Sequence, residues 1–223
     1  MKLLAMDTAT EACSVALWVE GEVKECFEIA PRRHTSLLFP MAEQLLAEAE
    51  LSLQQLDLLA FGRGPGSFTG VRVATSTIQG IAFATDLPVL PVSSLSALAQ
   101  GALRELGARR VLAAIDARMG ELYWSTCVAE GETVRPEGEE RLVTPHAVPV
   151  PRGEGWLGVG SGWATASDVL KERLQRQICG IRPECFPHAQ DIARLAAHAS
   201  ARGAKPLPAE RAQPVYLRNR VVS

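Results

Sequence analysis

The chain has 223 residues, 47% of them hydrophobic, a formal net charge of −2 and a pI near 6.1. That length fits one domain or two small ones with a real core, and the acidic balance argues against a protein built mainly to hold nucleic acid, which shows a basic face. No stretch approaches the ~18 apolar residues of a membrane span, Asp7 and Glu11 interrupt the first apolar run so that it does not read as a signal peptide, and five cysteines without a C-x-x-C read as reduced thiols, so a cytoplasmic protein is expected.

Residues 2–6, 12–19 and 23–29 read as three strands of a meander, with the turn Glu20-Gly21-Glu22 between the last two. The turn DTAT between the first two carries Asp7, Thr8 and Thr10. Two readings stand for it. A carboxylate among hydroxyls at a strand end suits a hydrated cation and phosphate oxygens; Asp and Thr are equally at home in a plain hairpin turn. Residues 35–50 read as a helix whose apolar residues fall into two stripes, Leu38, Met41, Leu45 and Ala49 in one, Phe39, Ala42 and Leu46 in the other. Such a helix is either sandwiched in the core or shared with a partner. Residues 56–61 read as a strand.

The segment 61–85 follows as strand end, glycine-rich turn and helix. Gly62, Gly64 and Gly66 bracket Arg63 and Pro65, and Ser67 or Thr69 is placed to cap the helix. A phosphate-facing loop and a tight turn without ligand both fit, and neither a P-loop nor a G-x-G-x-x-G fingerprint is present. The helix carries small residues three or four apart, Gly70, Ala74, Thr77, Gly80 and Ala84, a strip that lets another helix approach. Residues 87–92 read as a short strand, and a helix runs from Ser93-Ser94 to about Leu106.

At Arg109 the pattern restarts. RVLAAID ending at Asp116 matches KLLAMD ending at Asp7, and the EGE at 130–132 matches the one at 20–22, about 110 residues further on. This predicts two related α/β halves, each opening on a hairpin with an acidic tip. Residues 131–155 read as loop with one short strand. WLGVGSGW reads as a strand and glycine turn, a plain connection in preference to a second phosphate site, and a helix is expected from Thr165 to Gln177. Residues 188–202 read as an amphipathic helix. The tail carries Arg211, Arg218 and Arg220 beside Tyr216, either solvated or against a partner or RNA phosphates. The four histidines form no H-x-x-x-H pair, and no G-x-S-x-G occurs, so no metal site of the chain's own is expected.

MDTATEACSVALW (6–18), GRGPGSFTGVR (62–72), AAIDARMGELYW (113–124), VGSGW (159–163) and PVYLRN (214–219) together resemble the bacterial TsaB (YeaZ) family of tRNA threonylcarbamoyladenosine biosynthesis, over essentially the whole chain and in order. The resemblance implies an α/β fold of two tandem RNase H-like (actin-like ATPase) halves, each a mixed sheet with flanking helices. The halves would be 1–106 and 107–223, the tail free to pack back on the N-terminal domain.

It further implies a non-catalytic subunit that pairs with its paralogue TsaD and with the ATPase TsaE, or with itself as a homodimer. Together they would modify the adenosine 3′ of the anticodon in ANN-decoding tRNAs, with tRNA reached through the complex. TsaD carries a V-H-H-x-x-G-H stretch. Here it corresponds to 92–98, with Ser94 and Leu98 at the ligand positions, so ATP and metal are expected on the partners and no cofactor on this chain. The family contact would fall on Leu38, Met41, Leu45, Ala74, Thr77, Gly80, Ile81 and Ala84, and Leu45→Arg or Gly80→Leu would weaken pairing without harming the fold. A vestigial nucleotide cleft would comprise Asp7, Thr8, Thr10, Gly64, Gly66, Ser67 and Asp116. The competing class is an actin-like-fold ATPase or small-molecule kinase that uses Asp7, Thr8, Thr10 and Asp116; a peptidase is disfavoured, since neither a metal pair nor a nucleophile motif is present.

Overall fold

The structure is a computed structural model and describes residues 1–218; Asn219 and Arg220 of the tail lie outside the described residues. Its described residues divide into two compact units, Met1–Ala97 with Pro187–Val215, and Leu98–Phe186 with 216–218.

In the first unit β1 (Lys2–Asp7), β2 (Ala12–Val19) and β3 (Glu22–Ile29) form the expected antiparallel meander. Strands β4 (Leu58–Gly62) and β5 (Val89–Val92) extend it in parallel, giving the order β3-β2-β1-β4-β5. Successive side chains of a strand point to opposite faces. Leu4, Met6, Leu59 and Phe61 therefore join one core cluster, while Leu3, Ala5, Leu58 and Ala60 join another.

Helices α1 (His34–Glu48) and α2 (Phe68–Thr85) cover the first of these faces. On α1 the buried residues are Leu38, Met41, Ala42, Leu45 and Leu46. That spacing is one apolar face of a helix, so the two stripes read from the sequence merge into a single buried one. Phe39 alone of that set points away, 50% exposed. Helix α3 (Ser94–Leu106) follows β5.

The second unit repeats the plan. Strands β6 (Arg110–Asp116), β7 (Leu122–Glu130) and β8 (Thr133–Pro136) are antiparallel neighbours, and β9 (Arg141–Val143) also pairs with β7. Strands β10 (Trp156–Val159) and β11 (Ile178–Arg182) join β6 in parallel, so that β8-β7-β6-β10-β11 matches the first sheet strand for strand. Both sheets are mixed, with flanking helices, as the internal duplication predicts. The region 131–155 holds two short strands rather than one, and β11 has no counterpart in the sequence reading. The helix expected from Thr165 to Gln177 is broken into α4 (Gly162–Thr165) and α5 (Ser167–Leu174). The core of this unit is built on Trp124, Trp156 and Trp163, and the Trp163 indole donates to the Leu112 carbonyl at 2.9 Å.

Helix α6 (Ala189–Ala201) packs Ala189, Ile192, Ala193 and Ala196 on the second face of the first sheet. That burial places residues 187–215 with the first unit rather than with 107–223. Conversely, Gln100 of α3 donates to the Glu132 carbonyl and accepts the Val134 amide, which ties the later part of α3 to the second unit. The compact units thus do not follow a single cut after residue 106.

Candidate functional site

The turn after β1 and the glycine loop before α2 meet as a closed polar knot. Of the two caps the sequence offered, Ser67 rather than Thr69 caps α2, its hydroxyl accepting the Gly70 amide at 3.0 Å. The Ser67 amide itself donates to the Ala9 carbonyl at 2.7 Å. Thr8 goes further. Its hydroxyl donates to the Gly70 carbonyl at 2.7 Å and accepts the Ala74 amide at 3.1 Å. Those two backbone groups are partners of each other in an uninterrupted helix, so Thr8 stands inside the hydrogen-bond ladder of α2. Such an approach requires bare backbone opposite: a Cβ at Gly66 would collide with Ala9, and one at Gly70 with the Thr8 carbonyl. Thr10 closes its own turn by accepting the Ala12 amide at 3.3 Å. Gly64 has φ +92 and its carbonyl accepts the Ser94 amide.

Asp7 lies at the centre and is 0% exposed. One carboxylate oxygen accepts the Ala9 amide at 2.9 Å and the other the Ser94 hydroxyl at 3.1 Å. A side chain at Gly62 would strike the carboxylate, so β4 passes directly against it. Burial is the dominant influence and pushes the Asp7 carboxyl up to about 7. The Ala9 amide, the Ser94 hydroxyl and the field of His188 work against that rise, and the field of Glu25 adds to it. Asp7 is thus desolvated, and each of its oxygens already accepts a hydrogen bond from the chain itself.

Six of the seven residues expected to line a nucleotide cleft, Asp7, Thr8, Thr10, Gly64, Gly66 and Ser67, are thus brought together in the first unit, but as a structural lock. Asp116 belongs to the second unit, where its carboxylate accepts the Arg118 amide at 2.8 Å and pairs with the Arg118 guanidinium at 2.9 Å. The turn at 160–162 is close-packed: Gly160 and Gly162 lie against Ala114 of β6, which agrees with a plain connection. Ser94 and Leu98 are both buried. Among the described residues no group of three His, Cys, Asp or Glu side chains is placed to hold a metal ion. Burial also pushes the thiols of Cys13 and Cys127 up to about 12 and that of Cys185 up to about 11, the opposite of an activated thiolate.

The residues expected at a partner interface separate into two sets. Leu38, Met41, Leu45, Ala74 and Ile81 lie in the chain's own interior, most of them in the cluster beneath the first sheet. They cannot also form a surface, and Leu45→Arg would break the fold rather than spare it. Thr77, Gly80 and Ala84 remain at or near the surface of α2, where Gly80 has open space in front of it. Arg218 is neither a solvated tail residue nor free for phosphate, because it pairs with Glu121 at 2.7 Å and donates to the Ala117 carbonyl at 3.1 Å.

Two features had no signal in the sequence. Glu25 of β3 accepts the amide and the side chain of Gln190 and contacts His188 at 2.9 Å, which anchors the start of α6. His188 also stacks on Phe27, with ring centroids 4.1 Å apart. These contacts span more than 160 residues of chain. The contact from Ser94 to Asp7 had only an indirect signal, since serines before an apolar run read as a helix start.

Two mixed sheets in tandem with flanking helices, and an acidic tip on the first hairpin of each, define an α/β protein of the actin-like ATPase superfamily. The family model for tRNA N6-adenosine threonylcarbamoyltransferase, TsaD, matches residues 27–218. The tRNA threonylcarbamoyladenosine biosynthesis protein TsaB of Escherichia coli is 44% identical, with 99% of this chain and 96% of that one covered. Its namesake from Haemophilus influenzae is 42% identical over 99% and 95%. The solved structure of YeaZ from Pseudomonas aeruginosa superposes with a TM-score of 0.90 at 47% identity, covering 97% of this chain and 99% of that one. The chain belongs to the TsaB (YeaZ) family.

Proposed function

We propose that the chain serves tRNA threonylcarbamoyladenosine biosynthesis as a non-catalytic subunit. It docks on a TsaD-type transferase, biases that partner toward its active conformation, and works with the ATPase TsaE on the adenosine 3′ of the anticodon in ANN-decoding tRNAs. Away from the transferase it pairs with itself. It acts in the cytoplasm, carries no cofactor, and reaches tRNA through the complex. Bias of this kind requires contacts that differ between two states of the partner.

The observation that carries the reading is the closure around Asp7. The carboxylate and hydroxyls that a nucleotide-using relative would turn toward phosphate and cation are engaged here by the chain's own backbone and by Ser94. This weighs against the alternative of an ATPase or small-molecule kinase. The docking surface is the exposed side of α2, where Gly80 sits in mid-helix without a neighbour. Glycine in a helix interior costs about 1 kcal/mol relative to alanine, and close approach of a second helix is the compensation that fits. Co-elution with the transferase tests the reading. Wild type is expected to co-elute and Gly80→Leu to fall apart from it, while ATP added to the isolated chain shows no Asp7-dependent turnover. Asp7-dependent ATP hydrolysis would overturn it.

A further inference from the structure

The C-terminal end of α2 opens onto a groove of about 320 Å³ in the first unit. Phe83, Leu87, Pro88 and Leu207 supply apolar wall, and Asp86 and Glu210 supply two carboxylates. Phe83 is 66% exposed, an unusual position for a large aromatic side chain. The far wall is fixed: Val89 and Leu207 exchange both backbone hydrogen bonds at 2.8 Å, and the Gln79 side chain donates to the Ala212 carbonyl at 2.8 Å.

The charge on this groove is one-sided. Asp86 is the C-cap of α2, at φ 58, where the helix dipole is already negative. Glu210 faces the same space. Among the described residues neither carboxylate has an ion pair or a side-chain hydrogen bond. Carboxylates beside the negative end of a helix repel phosphate, so a nucleotide or an RNA backbone is the wrong occupant. An apolar wall with unpaired acids and a helix C-terminus suits a lysine or arginine whose stem and neighbours are apolar. Gly80 and Phe83 are three residues apart on α2 and share a face, so the groove continues the surface on which the transferase is proposed to dock.

The geometry points to a second, electrostatic contact with that transferase: the groove at Asp86 and Glu210 receives a basic residue flanked by apolar ones from the partner chain. This inference rests on the docking reading above. Binding of the full chain to the purified transferase, measured by calorimetry at low and high salt, tests it. Asp86→Asn combined with Glu210→Gln is expected to weaken binding by on the order of tenfold and to flatten its salt dependence. Asn is tolerated at a left-handed cap, so the double variant keeps the helix end. Phe83→Ala, which leaves both charges in place, is expected to weaken binding with the salt dependence unchanged. If the double variant binds with native affinity and salt dependence while Gly80→Leu is impaired, the groove is unused and docking on α2 stands. If wild type does not bind at all, both readings fall.

Discussion

The hydroxyl of Ser94, at the first residue of α3, donates to the carboxylate of Asp7, at the last residue of β1, across 3.1 Å and 87 positions of sequence. The contact joins the strand end to a helix and completes the shell of a carboxyl group with no exposure to water. Burial favours the protonated form of this carboxyl and outweighs the Ser94 hydroxyl and the Ala9 amide, which as donors favour the ionised one.

A pH dependence of known sign follows. The folded state holds the Asp7 proton up to about pH 7, against an ordinary value of 3.8. Between these limits the native state binds more protons than the unfolded one, so the contribution of this group is complete below about pH 4 and is lost as pH rises through about 7. Over the whole window it amounts to on the order of 4 kcal/mol, with a slope of at most about 1.4 kcal/mol per pH unit. Asp7→Asn removes that limb. Urea midpoints of the variant are expected to match wild type near pH 4 and exceed it at pH 8.

Thr8 holds α2 to β1 through two backbone groups of the helix. Thr8→Val keeps the shape and removes the hydroxyl, leaving the Gly70 carbonyl and Ala74 amide to find each other. A loss of about 1–2 kcal/mol is expected. Gly66→Ala forces a methyl into the backbone at Ala9 and is expected to cost at least as much. Equilibrium denaturation of both variants checks this.

The two halves of the expected interface make opposite predictions. Leu45, 2% exposed, lies in the core, so Leu45→Arg leaves a buried charge unpaired and the chain fails to fold cooperatively. Gly80→Leu enters open space, so it leaves the thermal midpoint near native or raises it while weakening the complex. Circular dichroism melts alongside transferase affinity separate the two.

Glu25 anchors the start of α6 through Gln190 and His188. Glu25→Ala removes three partners at once and is expected to destabilise the fold by about 1–3 kcal/mol. Amide exchange is expected to accelerate at residues 189–193 ahead of β1 and β4.

Sequence made the strands and helices of the first half legible because each carries a clean period: alternation in 12–29, three-and-four spacing in 34–48 and 68–85. The duplication was legible because Asp7 and Asp116 end matching apolar runs. Strand β11, ICGIR, was not, since five residues interrupted by Gly180 carry neither period. Helix α6 was legible as a helix but not as a member of the first unit. Nothing local tells an Ala-rich face which sheet it will cover. The lock around Asp7 was invisible for the same reason. The residue types that would cradle a phosphate are those that let backbones pack closely, and only the partners, distant in sequence, decide between the two. On α1, counting apolar residues overstated the free surface, because Leu38, Met41, Ala42, Leu45 and Leu46 fall on one buried face.

The central claim is that this chain supports a transferase without using a nucleotide site of its own. The most direct measurement is threonylcarbamoyl incorporated into tRNA by TsaD and TsaE, with and without the chain, and with Asp7→Asn and Asp116→Asn in its place. The account predicts that incorporation depends on the chain and that both variants support it as wild type does. Incorporation that proceeds without the chain, or that fails with variants shown to be folded, would contradict it.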